Sequence, residues 1–131
     1  TNESSIVSKA DLKGNITYVN DAFCDITGYT REELIGKAHN IIRHPDNPKE
    51  IFADMWDTIK NKKEIWRGVV RNKTKSGKSY YVDSLSMPIL NINGDIIEYI
   101  SLRTDITNIM NPAKQLYDEL ENSNEPILVY M

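Results

Sequence analysis

The stretch that decides the fold runs from Ile16 to Gly36 and reads ITYVNDAFCDITGYTREELIG. Its first four residues are rich in β-branched and aromatic side chains, which is typical of a strand. Asn20 is a helix N-cap by type, and Gly28 ends the helix that Asn20 starts. Thr30 and Glu33 form a capping box, which opens a second short helix that Gly36 stops. The stretch therefore predicts a strand followed at once by two short helices.

Outward from this stretch, the preceding residues complete a hairpin and the following ones predict a longer helix. Residues 5–10 form a β-branched run, and the Asp, Gly and Asn of residues 11–15 indicate a turn into the strand at 16–19. Further on, Asn47 is predicted to cap a helix that has Pro48 at its first position and Glu50 at its third. One face of this helix carries an apolar stripe at helical spacing: Ile51, Phe52, Met55, Trp56 and Ile59.

The second half of the chain has a strand pattern. Residues 65–73 and 78–90 are rich in Val, Ile, Tyr and Ser, and residues 74–77 join them as a hairpin turn. A turn at Asn93 and Gly94 leads to a last strand over 95–104. Pro88 cannot donate a ladder hydrogen bond, so we expect it at an edge or a bulge. Three consecutive antiparallel strands after short helices predict an α+β fold with a meander.

Composition limits the classes of protein and partner. A chain of 131 residues is long enough for one compact core. The net charge of −3 predicts no nucleic-acid partner, because such partners usually require a basic patch. No apolar run is long enough to cross a bilayer, so we expect no direct membrane insertion by this segment. The single cysteine, Cys24, excludes an internal disulfide and fits a reducing, cytoplasmic location.

Several motifs together resemble a PAS domain. They are residues 16–20, Phe23, residues 28–36 and the terminal Asp105-Ile106-Thr107, and the resemblance covers residues 5–107. It implies a five-stranded antiparallel sheet in the order 2-1-5-4-3, with short helices packed on one face and a C-terminal helix. It also implies three segments: a PAS sensor domain over 1–107, an output helix and linker over 108–125, and the start of a truncated downstream domain over 126–131. The output helix itself is predicted over 112–122, with Leu116, Tyr117 and Leu120 on one face.

Four further stretches make the resemblance more specific, because they are similar to the PAS domain of bacterial aerotaxis and energy-taxis receptors. They are residues 39–46, 52–56, 66–68 and 71–73. In that family the pocket holds FAD, whose redox state reports on respiration. The resemblance implies that seven residues contact the flavin: Asn20, Arg43, His44, Asp46, Trp56, Trp66 and Asn72. Two positions depart from the family. Tyr81 replaces a usual Trp, and Leu85 replaces a common Asn on a strand that lines the pocket, which we expect to make the pocket more apolar.

The residues themselves allow a structural as well as a functional interpretation. Arg43 can fork to phosphate oxygens and His44 adds a polar side chain beside it, but residues 43–46 also suit a polar turn that leads into a helix. Trp56 belongs to the apolar stripe and fits the core, whereas Trp66 opens a strand and is the better candidate for stacking on a flavin ring. Asn20 fits helix capping as well as a ring-edge hydrogen bond, and Asn72 fits a solvated hairpin edge equally well.

The sequence predicts a sensor and not an enzyme, because it has no Gly-rich phosphate loop, metal-ligand cluster or nucleophile motif. Our main hypothesis is an FAD-binding redox sensor, a homodimer that signals to an effector domain in the same full-length chain. The alternatives are a cofactor-free dimerisation or docking module and a small-metabolite sensor. A haem-based gas sensor through His39 or His44 is a further alternative. Residues 37–40 contain no cysteine, and Cys24 is expected to be a small buried residue, which argues against light-driven flavin adduct chemistry.

Overall fold

The computed structural model of the chain describes residues 5–110, 116, 120 and 121. Two strands are followed by a block of short helices, then by three more strands and a last helix, much as the sequence predicts. The strands are β1 (Ile6–Ala10), β2 (Ile16–Val19), β3 (Trp66–Lys73), β4 (Ser79–Leu90) and β5 (Ile96–Asp105). The α-helices are α1 (Asp21–Thr27), α2 (Arg31–Leu34), α3 (Lys49–Trp56) and α4 (Thr107–Met110). A 3-10 turn occupies His39–Ile42, and a π-helical turn over Asp57–Asn61 continues α3.

The five strands form one antiparallel sheet in the order β2-β1-β5-β4-β3, which confirms the predicted architecture. The centre of the sheet is β5, which pairs with β1 through Ser8 and Ser101 and with β4 through Ser86 and Ser101. The ladder between β3 and β4 ends at the pair Trp66 and Ser86. Pro88 therefore lies where β4 has a neighbour on one side only, as its missing N–H requires.

The helices cover one face of this sheet, and the core lies between the two layers. Side chains that alternate along each strand are buried beneath the helices, among them Ile6, Ala10, Ile16, Val70, Val82 and Tyr99. Phe23 from α1 and Leu34 at the end of α2 are completely buried in the same cluster. None of the α3 residues is completely buried, although Phe52, Met55 and Trp56 pack against the core.

Two of the three predicted helix caps are confirmed, and one is wrong. The Asn20 side chain accepts a hydrogen bond from the Phe23 N–H, and Thr30 forms the complete capping box with Glu33. The N-cap of α3 is Pro48, not Asn47, and Pro48 makes no side-chain capping bond. Asn47 instead bonds the backbone of strand β3, because its amide supplies both a donor and an acceptor to that strand.

The end of the sheet is tied to α4. The backbone N–H of Ile106 donates to the Tyr81 carbonyl at 2.9 Å, and the Tyr81 N–H donates to the Thr107 hydroxyl at 3.0 Å. Leu116, Leu120 and Glu121 are helical, but most of the predicted 112–122 helix and all of the predicted downstream segment 126–131 lie outside the described residues. Within the part of the chain that the structure describes, no helix is long and apolar enough to cross a membrane.

Candidate functional site

A cavity lies between α3 and the helix-covered face of the sheet. Its floor comes from β1, β3, β4 and β5, and its other walls come from the 3-10 turn, α3 and the π-helical turn. Polar and charged side chains supply much of the lining: Ser8, His39, Arg43, Asn72, Ser84, Ser86, Ser101 and Arg103. Serines at alternate positions of β4 leave space above the strand, because their side chains are short. A buried sheet face so rich in polar groups is unusual and points to a ligand.

Two guanidinium groups face this cavity. Arg103 is 8% exposed, and burial lowers the pKa of its guanidinium to about 10. Arg43 lies 3.8 Å above the ring of Phe52, and burial lowers its pKa as well. Among the described residues, no carboxylate pairs with either arginine. Burying a cation without an anion is costly, so this region of the interior is short of negative charge.

A short hydrogen-bonded chain inside the cavity connects β5 to the 3-10 turn through β1. Arg103 Nη1 donates to Ser8 Oγ at 2.9 Å, and Ser8 Oγ lies 2.9 Å from His39 Nε2. Burial, with smaller contributions from Arg103 and Arg43, lowers the pKa of His39 to about 3. The imidazole is therefore neutral at physiological pH. Because Arg103 can only donate, the serine hydroxyl can accept from Arg103 and donate to His39 Nε2.

The wall opposite the polar floor is aromatic. Phe52 and Trp56 come from α3, and the Trp56 ring meets Tyr99 edge to face with 5.3 Å between the ring centroids. The space between these walls is narrow. The cavity has a volume of about 50 Å³.

Three of the seven residues predicted to contact a flavin meet at this cavity, namely Arg43, Trp56 and Asn72. Arg43 and Asn72 also form a β-bridge, which places the 3-10 turn beside the edge strand β3. Asn72 is 2% exposed. When its amide is oriented as a donor, the nitrogen reaches the carbonyl oxygens of Ile42 and Arg71, both at 3.3 Å. Asn72 is thus a buried residue and not the solvated hairpin residue that one interpretation of the sequence allowed.

The other four predicted residues lie outside the cavity lining. Asn20 uses its amide to cap α1 and to bond the backbone of Ser5 and Val7. His44 Nδ1 accepts from the Asp46 N–H, and the exposed Asp46 carboxylate pairs with Arg71. Trp66 lies over Gly68, where an added Cβ would come within 2.5 Å of the indole, and its Nε1 donates to Asp54. These contacts attach loops and helices to the sheet.

The side chains of Tyr81 and Leu85, the two residues that depart from the family pattern, project away from the cavity. Tyr81 and Leu85 alternate along β4 with the buried Val82, Ser84 and Ser86, so they occupy the opposite face of the sheet. Tyr81 lies beneath the Arg71 guanidinium there, and Leu85 pairs with Leu102 of β5. The expectation that Leu85 makes the pocket more apolar is therefore wrong.

Sequence reasoning missed most of the polar floor: Ser8, Ser84, Ser86, Ser101 and Arg103. His39 was considered only as a haem ligand. One signal was available, because Ser84 and Ser86 share one face of a predicted strand with Val82. Small polar residues at that spacing indicate a cavity-lining face. Arg103, on the last strand, gives no comparable local signal, because the neighbouring sequence does not distinguish a buried arginine from an exposed one.

The described residues contain no group of three or more His, Cys, Asp or Glu side chains that could hold a metal ion. Cys24 is partly buried against the core, away from the cavity lining, and burial raises the pKa of its thiol. The polar cavity is thus the strongest candidate for a functional site in this part of the molecule.

This architecture matches a known protein family. A family model described as the PAS fold matches residues 16–103. The aerotaxis receptor of Escherichia coli strain K12 is 44% identical over 106 residues, which are 81% of this chain and 21% of the receptor. The nitrogen fixation regulatory protein of Klebsiella pneumoniae is 35% identical over 104 residues, which are 79% of this chain and 21% of that protein. The chain thus spans about a fifth of the length of these two relatives.

Solved structures agree with the fold. A PAS domain from Colwellia psychrerythraea superposes with a TM-score of 0.73 at 25% identity, over 80% of this chain and 88% of that one. An RNA-binding light-oxygen-voltage receptor superposes with a TM-score of 0.77 at 21% identity, over 92% of this chain and 35% of the receptor. The second likeness supports the fold alone.

Proposed function

This chain belongs to the PAS family, and we propose that its cavity binds FAD and that the domain reports the redox state of this cofactor to a downstream effector. The family relatives are receptors and regulators, which fits a sensory, non-enzymatic domain. The observation that carries the proposal is the pair of arginines, Arg43 and Arg103, that face the cavity and for which the described residues supply no carboxylate partner.

The donor set of the cavity fits the chemistry of a flavin dinucleotide. Arginine forks to phosphate and to carbonyl oxygens, and FAD carries both groups. Hydroxyl and amide groups at Ser84, Ser86 and Asn72 suit the polar edge of the ring, and Trp56 offers an aromatic surface for stacking. The resemblance to aerotaxis-type PAS domains implies the same cofactor.

The cavity is smaller than a flavin ring requires. Ligand pockets usually measure roughly 300–1,000 Å³, so a tricyclic ring requires the wall of α3 to move outward. That wall is suited to moving, because no α3 residue is completely buried. A hydrogen bond of 2.9 Å from Trp66 Nε1 to Asp54 ties this helix to β3 and limits how far the helix can move.

Bound FAD supplies a redox couple in which reduction changes which ring atoms donate and accept hydrogen bonds. The protein contributes groups that can follow such a change. The Ser8 hydroxyl lies between the permanent donor Arg103 and the neutral His39, and the Ser86 and Ser101 hydroxyls bond each other, so each O–H can turn toward a different acceptor. A change in hydrogen bonding at the ring therefore favours one arrangement of these side chains over another.

Strand β4 offers a direct path from the cavity to the C-terminal helix. It carries Ser84 and Ser86 on the cavity face, and its Tyr81 backbone bonds both Ile106 and Thr107 at the start of α4. A small shift of β4 therefore moves the beginning of α4. We extend the proposal to an effector domain in the same full-length chain, a homodimeric arrangement and a cytoplasmic location.

The small enclosed volume also favours a second candidate, a cofactor-free docking module. The test is an absorption spectrum of the domain purified from cells supplied with riboflavin, with chromatography of the released cofactor. The FAD sensor predicts flavin absorption that bleaches with dithionite and returns in air, at about one FAD per chain. A folded, colourless domain that takes up no added FAD would support the docking module instead.

A further inference from the structure

The segment between the 3-10 turn and α3 lies along the open edge of β3, which is the last strand of the sheet. The N–H of His44 donates to the Arg71 carbonyl at 3.2 Å. Three residues later, Asn47 Nδ2 donates to the same carbonyl at 2.6 Å and Oδ1 accepts from the Arg71 N–H at 2.9 Å. The Asn47 amide therefore pairs with the Arg71 backbone as the peptide group of a neighbouring strand would.

Further contacts close this segment into a fixed loop. Asn47 Nδ2 also donates to the His44 carbonyl at 2.9 Å, which joins the two ends of the segment. Asp46 Oδ2 accepts from Arg71 Nη1 at 3.2 Å, but that carboxylate is mostly exposed and contributes little. The pairing of Asn47 with Arg71 therefore attaches the far end of the loop to the sheet, and the β-bridge between Arg43 and Asn72 attaches its near end.

The loop joins the two residues that form one wall of the cavity. Arg43 immediately precedes it and Phe52 follows it in the first turns of α3. The guanidinium of Arg43 lies 3.8 Å from the centre of the Phe52 ring. If the far end of the loop left β3, Phe52 would move away from Arg43, and the uncovered guanidinium would turn toward solvent, where a cation is better solvated.

We propose that Asn47 is a positioning residue, which holds Arg43 on the cavity wall through the backbone of Arg71 and thereby sets the affinity for FAD. This inference rests on the proposed function. Asn47 itself does not line the cavity, so it acts through Arg43 and not by contact with the cofactor.

The experiment compares FAD dissociation constants of flavin-depleted protein by fluorescence titration, together with the thermal unfolding of each variant. Asn47→Asp keeps the shape but turns a donor into an oxygen that faces two carbonyls. Asn91→Asp is the matched control, since Asn91 Oδ1 only accepts from Asn93 and Asp95 in the β4–β5 turn, and an aspartate keeps both bonds. Asn47→Leu removes the pairing without adding a charge.

Both Asn47 variants should weaken FAD binding by about tenfold, since Asn47→Asp loses two partly buried hydrogen bonds of the loop and Asn47→Leu loses three. Asn91→Asp should bind within about twofold of the wild type. In an Arg43→Met background, Asn47→Asp should change the affinity by less than about twofold, because the group that it positions is gone.

Wild-type affinity in both folded Asn47 variants would overturn the inference and leave the FAD proposal intact. An equal loss in the Arg43→Met background would also overturn it, because Asn47 would then act independently of Arg43. A folded wild-type protein that does not bind FAD at all would overturn the proposed function and this inference with it.

Discussion

The interior of this domain has two regions that share one sheet face but differ in chemistry. Around β2, α1 and α2 the interior is apolar, and Ile16, Val19, Phe23 and Leu34 are at most 1% exposed. Around β3, β4 and β5 the same face carries Asn72, Ser84, Ser86 and Arg103, each less than 9% exposed. The first region is a dry core, whereas the second contains buried polar groups that a core does not need.

The difference separates the residues that stabilise the fold from those that serve a ligand. Burial of large aliphatic and aromatic side chains stabilises the first region by about 1.5–3 kcal/mol for each. Buried polar groups in the second region contribute little net stability, and an unpaired cation opposes folding. We therefore expect substitutions in the two regions to affect different measured properties.

The largest effect on stability is expected from Leu34→Ala. Leu34 is completely buried at the end of α2, and a cavity left by this substitution costs about 2–5 kcal/mol. Denaturant unfolding should show this loss, and the neighbouring Ile35→Ala, whose side chain is 41% exposed, should cost much less. Similar small losses for both variants would contradict a dry core around α2.

Arg103→Met should behave in the opposite way. It replaces a buried cation, for which the described residues supply no carboxylate, with an apolar chain of similar length, so the free energy of unfolding of the flavin-free protein should fall by no more than about 1 kcal/mol. Denaturant unfolding of the flavin-free variant checks this. A loss above about 2 kcal/mol would show that Arg103 belongs to the structural core.

Acid should destabilise the polar region through His39. Its pKa is about 3 in the folded chain because burial disfavours the imidazolium, whereas an unfolded histidine titrates near about 6.5. As the pH falls below the unfolded value, the unfolded chain takes up a proton that the folded chain refuses, so stability is lost. The free energy of unfolding should drop by up to about 1.4 kcal/mol per pH unit from this site.

The control for the acid effect is His39→Gln, which keeps an acceptor for Ser8 but does not titrate. Denaturant unfolding of both proteins between about pH 4 and pH 7 should show a shallower loss of stability in the variant. Parallel pH profiles would mean that His39 has the same pKa in the folded and the unfolded chain, which would contradict the lowered pKa.

The smallest effect is expected from Leu85→Asn on the opposite face of the sheet. Leu85 does not line the cavity, so the variant should bind FAD within about twofold of the wild type. Its half-buried position predicts a modest loss of stability, about 1 kcal/mol or less. A large change in FAD affinity would place Leu85 in the site after all.

The fold could be predicted from sequence because its signals are local. Asn20, Thr30 and Glu33 mark helix starts by their chemistry, and the strand pattern after residue 65 follows from alternation. Asn47 was misassigned because an amide can cap a helix or pair with a strand, and only the position of β3 decides between these roles. Such a choice depends on tertiary contacts that the local sequence does not contain.

The candidate site was harder to predict than the fold. The resemblance brought Arg43, Trp56 and Asn72 together, but it gave no reason to choose Ser8 or Arg103. Ser8 and Arg103 lie close together because of the register of β1 against β5, which sets Ser8 opposite Ser101 and two positions from Arg103. Register across strands far apart in sequence is a tertiary property, so these residues become visible only in the folded chain.

The most direct test of the division between the two regions is an amide chemical-shift map of the flavin-free domain titrated with FAD. We predict saturable shifts around His39–Arg43, α3, Ser84–Ser86 and Ser101–Arg103, with little change in β2 and α2. Shifts centred on β2 and α2, or none in a folded domain, would contradict the assignment of the polar region as the ligand site.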